Sequence, residues 1–170
     1  MLLLVGAIGV AVFVGGFNLF AAYTNRTEFC ISCHTMERGP YAEYKKTIHF
    51  SNRTGVRAAC SDCHVPKDFV PKFAAKVWAA KDVYHELAGT IDTPEKFEAR
   101  RLHLARNVWS YMEKTNSAGC RSCHDFDAMK LDEQGRRAKL KHPQAKMEGK
   151  QCISCHKGVA HELPKDFEGD

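Results

Sequence analysis

All eight cysteines of this 170-residue chain belong to four copies of one pattern, Cys-x-x-Cys-His. The two cysteines of such a motif form thioethers with the vinyl groups of a haem, and the histidine beside them can bind the iron. The four motifs consist of Cys30, Cys33 and His34; Cys60, Cys63 and His64; Cys120, Cys123 and His124; and Cys152, Cys155 and His156. They predict four covalently bound haem c groups.

Disulfide bonds and zinc sites are the alternatives for a chain with paired cysteines. Neither explains why a histidine directly follows the second cysteine of every pair. Bacteria attach haem to such motifs outside the cytoplasm, so we expect the soluble part of the chain in the periplasm.

Four haems in 170 residues leave little polypeptide for each cofactor. A chain of this length builds only a limited core from side chains, so the porphyrins must form much of the interior. No segment alternates polar and apolar residues as a half-buried strand would. The expected fold is mainly α-helical and loop-rich, with the polypeptide packed around haems.

The stretch from residue 2 to residue 23 carries no charge. At about 1.5 Å per residue, a helix of that length crosses a hydrocarbon core of roughly 30 Å. The alternative, a cleaved signal peptide, has a shorter apolar region of about 7 to 15 residues. We therefore expect residues 1–24 to be a single-pass anchor in the bacterial inner membrane, and residues 25–170 to be the periplasmic domain. No basic segment precedes the apolar run, so either the N-terminus has been trimmed or the orientation depends on translocation of the large C-terminal domain, and we favour trimming.

The four motifs are spaced as two close pairs separated by a longer insert. This spacing predicts two dihaem modules, at about 25–68 and 115–170, joined by a helical segment at 69–114.

Apolar residues recur at helical spacing from Asp68 to Ala88, and Gly89 is a natural stop. Thr93 and Pro94 signal the start of a second helix, which should run to about residue 113. In the basic segment that follows, we expect breaks at Gly135 and Pro143.

Each haem iron has a second axial position, which a histidine, a methionine or a lysine can fill. The chain has nine histidines, and four of them belong to the motifs. The candidates for the second position are therefore the other five, His49, His85, His103, His142 and His161.

Several stretches of the chain resemble the NapC/NirT family of membrane-anchored multihaem quinol dehydrogenases, and the resemblance covers nearly the whole length. These stretches are FCISCHTM at 29–36, SNRTGVRA at 51–58, CSDCHVP at 60–66, IDTPEKFE at 91–98 and HKGVAH at 156–161. Within the family, the chain is most similar to the members that donate electrons to periplasmic nitrate reductase.

The resemblance implies an unusual first haem. The family extends the first motif to Cys-x-x-Cys-His-x-Met, and its methionine, here Met36, binds iron in place of His34. An aspartate of the central helix, matched by Asp82, covers the other face of that haem. A lysine of the same helix, matched by Lys76, is implicated at the quinol site.

Simple chemistry is compatible with these two roles. Lys76 and Asp82 are six residues apart and project about 120° apart around a helix, so both can border one haem edge. Quinol oxidation releases two protons, so a carboxylate can accept a proton while a cation favours the quinolate. The alternative is that Lys72, Lys76 and Lys81 form a solvated basic face.

The resemblance also implies that His49, His142 and His161 are the distal ligands. We predict three pairs, namely His64 with His142, His124 with His161, and His156 with His49. His49 would then reach from one module to the other. We expect His85 and His103 to be ordinary helix residues.

After the second motif the family commonly reads Val-Pro-His, whereas this chain has Lys67 in place of the histidine. A histidine ligand is therefore excluded at that position. Three distal histidines already suffice for haems 2 to 4, so we expect Lys67 on the surface.

The sequence thus predicts a quinol dehydrogenase of anaerobic respiration. It would oxidise menaquinol or ubiquinol from the membrane pool at haem 1 and pass electrons through haems 2 to 4 to a periplasmic reductase, with nitrate reductase as the expected acceptor. The alternatives are a donor subunit of cytochrome c nitrite reductase and an electron relay without its own quinol site.

The formal net charge of +5 does not point to a nucleic acid, because no recognition fold accompanies it. The positive charge can compensate haem propionates or favour docking of an acidic protein. The expected partners are the lipid bilayer, the quinol pool and a reductase, and a homo-oligomer is left open.

Overall fold

A computed structural model describes residues 1–169, and Asp170, the end of the predicted periplasmic domain, lies outside the described residues. In the part described, the chain forms helices, turns and loops, with no strand. The predicted mainly α-helical class is therefore confirmed. The division into two dihaem modules stays a prediction.

The α-helices are named in chain order. They are α1 (Leu2–Thr24), α2 (Thr27–Cys30), α3 (His34–Met36), α4 (Ala42–Tyr44), α5 (Cys60–His64), α6 (Phe69–Leu87), α7 (Pro94–Lys114), α8 (Ala118–Arg121), α9 (Arg136–Met147) and α10 (Cys152–Cys155). A π-helical turn covers Glu37–Tyr41, and a 3₁₀ turn covers Leu131–Glu133.

Helix α1 has the length and composition of a membrane span. It contains 23 residues, and its apolar window is not covered by the rest of the protein. Its polar residue Asn18 donates its side-chain amide to the carbonyl of Val14, 2.8 Å away, so this group is satisfied within the helix. The helix could therefore cross a bilayer.

The two long helices that follow α1 have nearly the predicted bounds. Asp68 is the N-cap of α6, and Gly89 ends the turn after it with a φ of +69°, a conformation that favours glycine. The hydroxyl of Thr93 accepts a hydrogen bond from the backbone of Lys96 and so caps α7, with Pro94 in the first turn.

The expected break at Pro143 is wrong. Gly135 is the N-cap of α9, but the helix continues through Pro143 to Met147. Proline costs the helix one backbone hydrogen bond and does not by itself force an end.

The helices that carry the haem motifs are neighbours in chain order. Helix α2 contacts α5, and α5 contacts α8. At the second of these contacts, a Cβ on Gly119 would lie 3.0 Å from the carbonyl oxygens of Asp62 and Cys63, so a side chain at this position would push the two backbones apart by a few tenths of an ångström. Helix α10 in turn adjoins α8. The backbone N–H of Ile153 in α10 donates to the hydroxyl of the buried Ser117, which is the N-cap of α8. The second and third motifs therefore pack together across the predicted modules.

Helix α6 lies against the membrane anchor through aromatic rings. The ring of Phe73 is 5.9 Å from that of Phe13 and 5.2 Å from that of Phe17. The ring of Phe69 is 5.1 Å from that of Phe17. These edge-to-face contacts fix the start of α6 beside α1.

The polypeptide alone has almost no apolar core. Within residues 1–169, the buried hydrophobic residues are Ala21, Tyr44 and Ile153. Many large apolar side chains after α1 are exposed instead, among them Val56, Val83, Leu140 and Met147. A domain of this size cannot be stabilised by so few buried side chains, so other groups must fill its interior.

Candidate haem and quinol sites

All six histidines predicted as motif or distal ligands of haems 2 to 4 lie in pairs. The ring centres are 6.2 Å apart for His64 and His161, 6.2 Å apart for His49 and His124, and 6.0 Å apart for His142 and His156. Each pair joins one motif histidine to one distal candidate.

These distances match two imidazoles on opposite sides of one iron. Each ring would contribute a metal–nitrogen bond of about 2.0 Å and about 1.1 Å from that nitrogen to the ring centre, giving about 6.2 Å in all. The three pairs therefore fit three haem irons, each with a histidine on both sides.

The three predicted pairings are wrong, although the set of six histidines is the predicted one. Spacing along the chain does not reveal which loop folds over which motif. His161 is held on the N-terminal half of the protein by a contact of 3.1 Å with the carbonyl of Pro40, and so lies beside His64. His49 does reach across to the other predicted module, but to the third motif and not to the fourth.

Hydrogen bonds set the tautomer of two distal histidines. The Nδ1–H of His161 donates to the carbonyl of Pro40, which can only accept, and the Nδ1–H of His142 donates to the side-chain oxygen of Gln134 at 2.5 Å. In both rings the lone pair is then on Nε2, the nitrogen free to bind a metal.

The surroundings of His64, His156 and His161 favour the neutral imidazole. Loss of hydration lowers the pKa of His64 to about 4, and it also lowers the pKa of His156 and of His161. Neutral imidazole is the form that binds metal. His64 and His156 are nevertheless exposed residues, so a group bound between the partners can reach their rings.

His49 is positioned by the buried side chain of Tyr44. The hydroxyl of Tyr44 is 2.9 Å from the carbonyl oxygen of His49 and also contacts that of Ala58, which closes the loop between them. The Nδ1 atom of His49 is buried and has no hydrogen-bond partner. A buried polar atom without a partner in the polypeptide indicates a group from outside it.

The first motif differs from the other three. The side chain of His34 is 76% exposed, and its Nδ1 lies 4.0 Å from the carboxylate of Glu37. Within residues 1–169 no ring contact joins His34 to another histidine. Met36 lies two residues further on, in the same short helix, and is partly exposed. The role of Met36 as iron ligand stays a prediction, and the isolation of His34 is compatible with it.

Lys76 lies where the membrane anchor ends. Its ammonium donates to the backbone carbonyl of Thr24, the last residue of α1, at 3.2 Å. Partial burial lowers the pKa of Lys76, and the nearby Cys30 of the first motif opposes that shift. The side chain therefore joins the end of α1 to the first haem motif.

The first motif contacts α6 on the side of the helix that lies between Lys76 and Asp82 around the helix axis. The hydroxyl of Thr35 lies 3.1 Å from the carboxylate of Glu86. At 100° per residue, Glu86 is about 80° from Lys76 and about 40° from Asp82 around α6. Lys76 and Asp82 thus flank the face that contacts the first motif, and Asp82 is exposed to water.

The four-haem prediction fits these observations. The donor set comprises four pairs of free cysteines and three facing pairs of histidines. The polypeptide lacks the apolar interior that porphyrins would supply. The residues that would hold the haems are therefore the eight motif cysteines and the paired histidines, with Met36 as the candidate at haem 1.

A network of charges holds the segment that carries His161. The guanidinium of Arg101 donates to both carboxylate oxygens of Glu43, at 2.7 and 2.6 Å, and to the carbonyl of Glu162 at 2.6 Å. The carboxylate of Glu43 also accepts the backbone N–H of Glu162 at 2.9 Å. Arg101 and Glu43 are only 13% and 12% exposed, so this bidentate pair is largely shielded from water.

We expect Arg101→Ala to lower the free energy of unfolding of the haem-loaded protein by about 2 to 3 kcal/mol, because it leaves the Glu43 carboxylate buried without its partner. Since 1 kcal/mol corresponds to roughly 2 to 4 °C for a domain of this size, the Tm should fall by about 5 to 10 °C. Thermal unfolding followed by circular dichroism measures this. The neighbouring exposed arginine gives the control, Arg100→Ala, which should change the Tm little. Equal effects of the two variants would contradict the assignment.

Sequence reasoning did not identify the residues that position the ligands. Tyr44, Arg101 and Gln134 act through contacts with residues 5 to 61 positions away, and no local pattern marks them. Lys67 lies on the surface, as predicted. Its ammonium pairs with the carboxylate of Asp62 at 2.6 Å.

Comparison with known proteins agrees with this site. The family model described as "NapC/NirT cytochrome c family, N-terminal region" matches residues 1–166. No solved structure shows significant similarity to the chain.

Three relatives are close in sequence. A protein of Allochromatium vinosum named as a putative tetraheme cytochrome-c type is 53% identical over 159 residues, covering 94% of this chain and 86% of the relative. The denitrification system component NirT of Stutzerimonas stutzeri and the cytochrome c-type protein NapC of Escherichia coli K12 are each 51% identical, and each match covers 96% of this chain and 82% of the relative. With four haem motifs, a candidate membrane helix and these matches, the chain belongs to the NapC/NirT cytochrome c family of electron-transfer proteins.

Proposed function

We propose that the protein is a quinol dehydrogenase of the inner membrane whose haem domain lies in the periplasm. It takes electrons from menaquinol or ubiquinol and delivers them to a periplasmic reductase. The observation that carries the proposal is the position of Lys76, a partly buried cation at the junction of the membrane anchor and the first haem motif.

The arrangement of the motifs supports a direction of transfer. The first motif follows directly after α1, and the helices of the second, third and fourth motifs adjoin one another in that order. When bound, the four haems supply a row of one-electron carriers that starts at the membrane. If α1 spans the bilayer, their attachment points would follow one another from the bilayer outward.

Lys76 would bind and orient the quinol head. Its ammonium is held by the carbonyl of Thr24 and has further N–H groups that can donate to a quinol oxygen. A positive charge beside that oxygen favours loss of its proton, which must precede or accompany removal of electrons. Partial burial strengthens this interaction, because less water screens it.

Asp82 would accept the proton. It lies on the other side of the face that meets the first motif, and its exposed carboxylate can pass a proton on to periplasmic water. Quinol oxidation would then release its protons on the periplasmic side of the membrane.

The test is anaerobic mixing of the purified, haem-loaded protein with a reduced menaquinol analogue, followed by haem absorption. We expect Lys76→Ala and Asp82→Asn to slow haem reduction by about 100-fold or more, the usual effect of losing a positioned acid–base group. Lys81→Ala is the matched control, since it removes an exposed lysine of the same helix. Dithionite should reduce all haems in each variant.

The same experiment separates the alternatives. If dithionite reduces the wild-type haems and quinol never does, the protein is a relay fed by another protein. If quinol reduces Lys76→Ala and Asp82→Asn at the wild-type rate, the protein oxidises quinol at another place.

We propose that the acceptor is a periplasmic nitrate reductase, on the strength of the sequence similarity to NapC. The equally close NirT, a component of a denitrification system, favours a second candidate, a reductase of another nitrogen oxide. Reduced protein mixed with purified nitrate reductase should be reoxidised when nitrate is present. Reoxidation only by a nitrite reductase would favour the second candidate.

A further inference from the structure

Helix α6 exposes a continuous row of apolar side chains, which we call the apolar face of α6. It consists of Val70, Phe73, Val77, Tyr84 and Leu87, which are between 38% and 83% exposed. At 100° per residue these residues fall within about 100° of one another around the helix. An exposed apolar row of this length on a long helix calls for a partner surface.

The haem domain uses a different face of the same helix. Glu86, which contacts Thr35 beside the first motif, follows Val77 by nine residues and therefore lies about 180° from it. The first motif thus approaches α6 from the side opposite the apolar face. A haem attached to Cys30 and Cys33 would lie on that side as well.

The start of the apolar face is level with the apolar span of α1. Phe73 packs against Phe13 and Phe17, which precede the end of α1 at Thr24 by eleven and seven residues. At about 1.5 Å per residue, these rings lie roughly 16 and 10 Å below that end. A membrane that surrounds α1 would therefore also reach the first turns of α6.

Basic side chains border the apolar face on both sides. Lys81 and Lys76 are five residues apart and so project about 140° apart, one beyond each edge of the face. The exposed Lys81 can extend its ammonium group to lipid phosphates, and Lys76 reaches the end of α1 at Thr24, while the apolar residues between them enter the acyl region.

We propose that α6 is an interfacial membrane helix, whose apolar face inserts into the outer leaflet beside α1. The bilayer, and no second protein, would cover Val70, Val77, Tyr84 and Leu87. This inference depends on α1 crossing the membrane and is independent of quinol oxidation.

The test uses the haem-loaded full chain in vesicles of phosphatidylethanolamine and phosphatidylglycerol that contain a lipid with a diazirine in its acyl chain. After illumination, mass spectrometry locates the lipid adducts. We expect adducts on α1 and on the apolar face of α6, and none on α7 or at Leu140 of α9, which is 69% exposed. Val77→Asp should remove most adducts from α6, whereas the matched variant Leu140→Asp should leave them unchanged.

Adducts on α1 alone would overturn the proposal. A second copy of the chain or another protein would then cover the apolar face of α6. Adducts on α6 that persist undiminished in Val77→Asp would overturn the assigned orientation of the helix. A lack of adducts on α1 itself would remove the premise of the proposal and so overturn it. None of these outcomes depends on whether quinol reduces the haems.

Discussion

Without its haems, the chain should stay unfolded outside α1. Produced without the haem-attachment machinery, it should show no cooperative thermal transition by circular dichroism. Trypsin should digest it rapidly, because the chain offers 25 lysines and arginines. The physical reason is that within residues 1–169 only Ala21, Tyr44 and Ile153 are buried apolar residues, and Ala21 belongs to the anchor. So little burial cannot offset the conformational entropy of ordering the domain.

The haem-loaded protein under the same conditions is the control, and it should melt cooperatively and resist trypsin. A cooperative transition of the haem-free chain at a similar temperature would show that side chains alone suffice. It would also contradict the inference that groups other than side chains fill the interior.

His142→Ala should leave one haem without its second axial ligand. We expect one additional high-spin haem in the electron paramagnetic resonance spectrum of the oxidised protein, because a low-spin iron needs a strong ligand on both sides. His103→Ala is the control, since this exposed histidine hydrogen-bonds to Asn107 on its own helix and its loss should leave the spectrum unchanged.

Combining His142→Ala with loss of the fourth haem tests the pairing itself. In a Cys152→Ser, Cys155→Ser protein that lacks this haem, His142→Ala should add no further high-spin signal, since His142 faces His156. If the extra signal persists in the combined variant, His142 serves a different haem. The pairing predicted from the sequence instead places His142 opposite His64.

The parts of the site that could be predicted are those that depend on local pattern. A Cys-x-x-Cys-His motif carries its chemistry within five residues, and the caps of α6 and α7 depend on neighbours such as Thr93 and Pro94. The set of distal histidines followed from the family resemblance. These features need no knowledge of how distant segments meet.

The pairing of the histidines could not be predicted, because it depends on contacts between segments far apart in the chain. His161 reaches His64 because Arg101 ties Glu162 to Glu43, and these residues are up to 119 positions apart. The continuation of α9 through Pro143 could not be predicted either. There the helical residues on both sides outweigh the local preference of proline to end a helix.

The separation of His161 from the second motif along the chain has a consequence for biosynthesis. This histidine faces His64, yet it follows His64 by 97 positions. If the domain is exported from its N-terminal side, the second motif would receive its haem well before His161 emerges from the translocation channel. A chain whose export stalls between the two residues would therefore present that haem without His161 beside it.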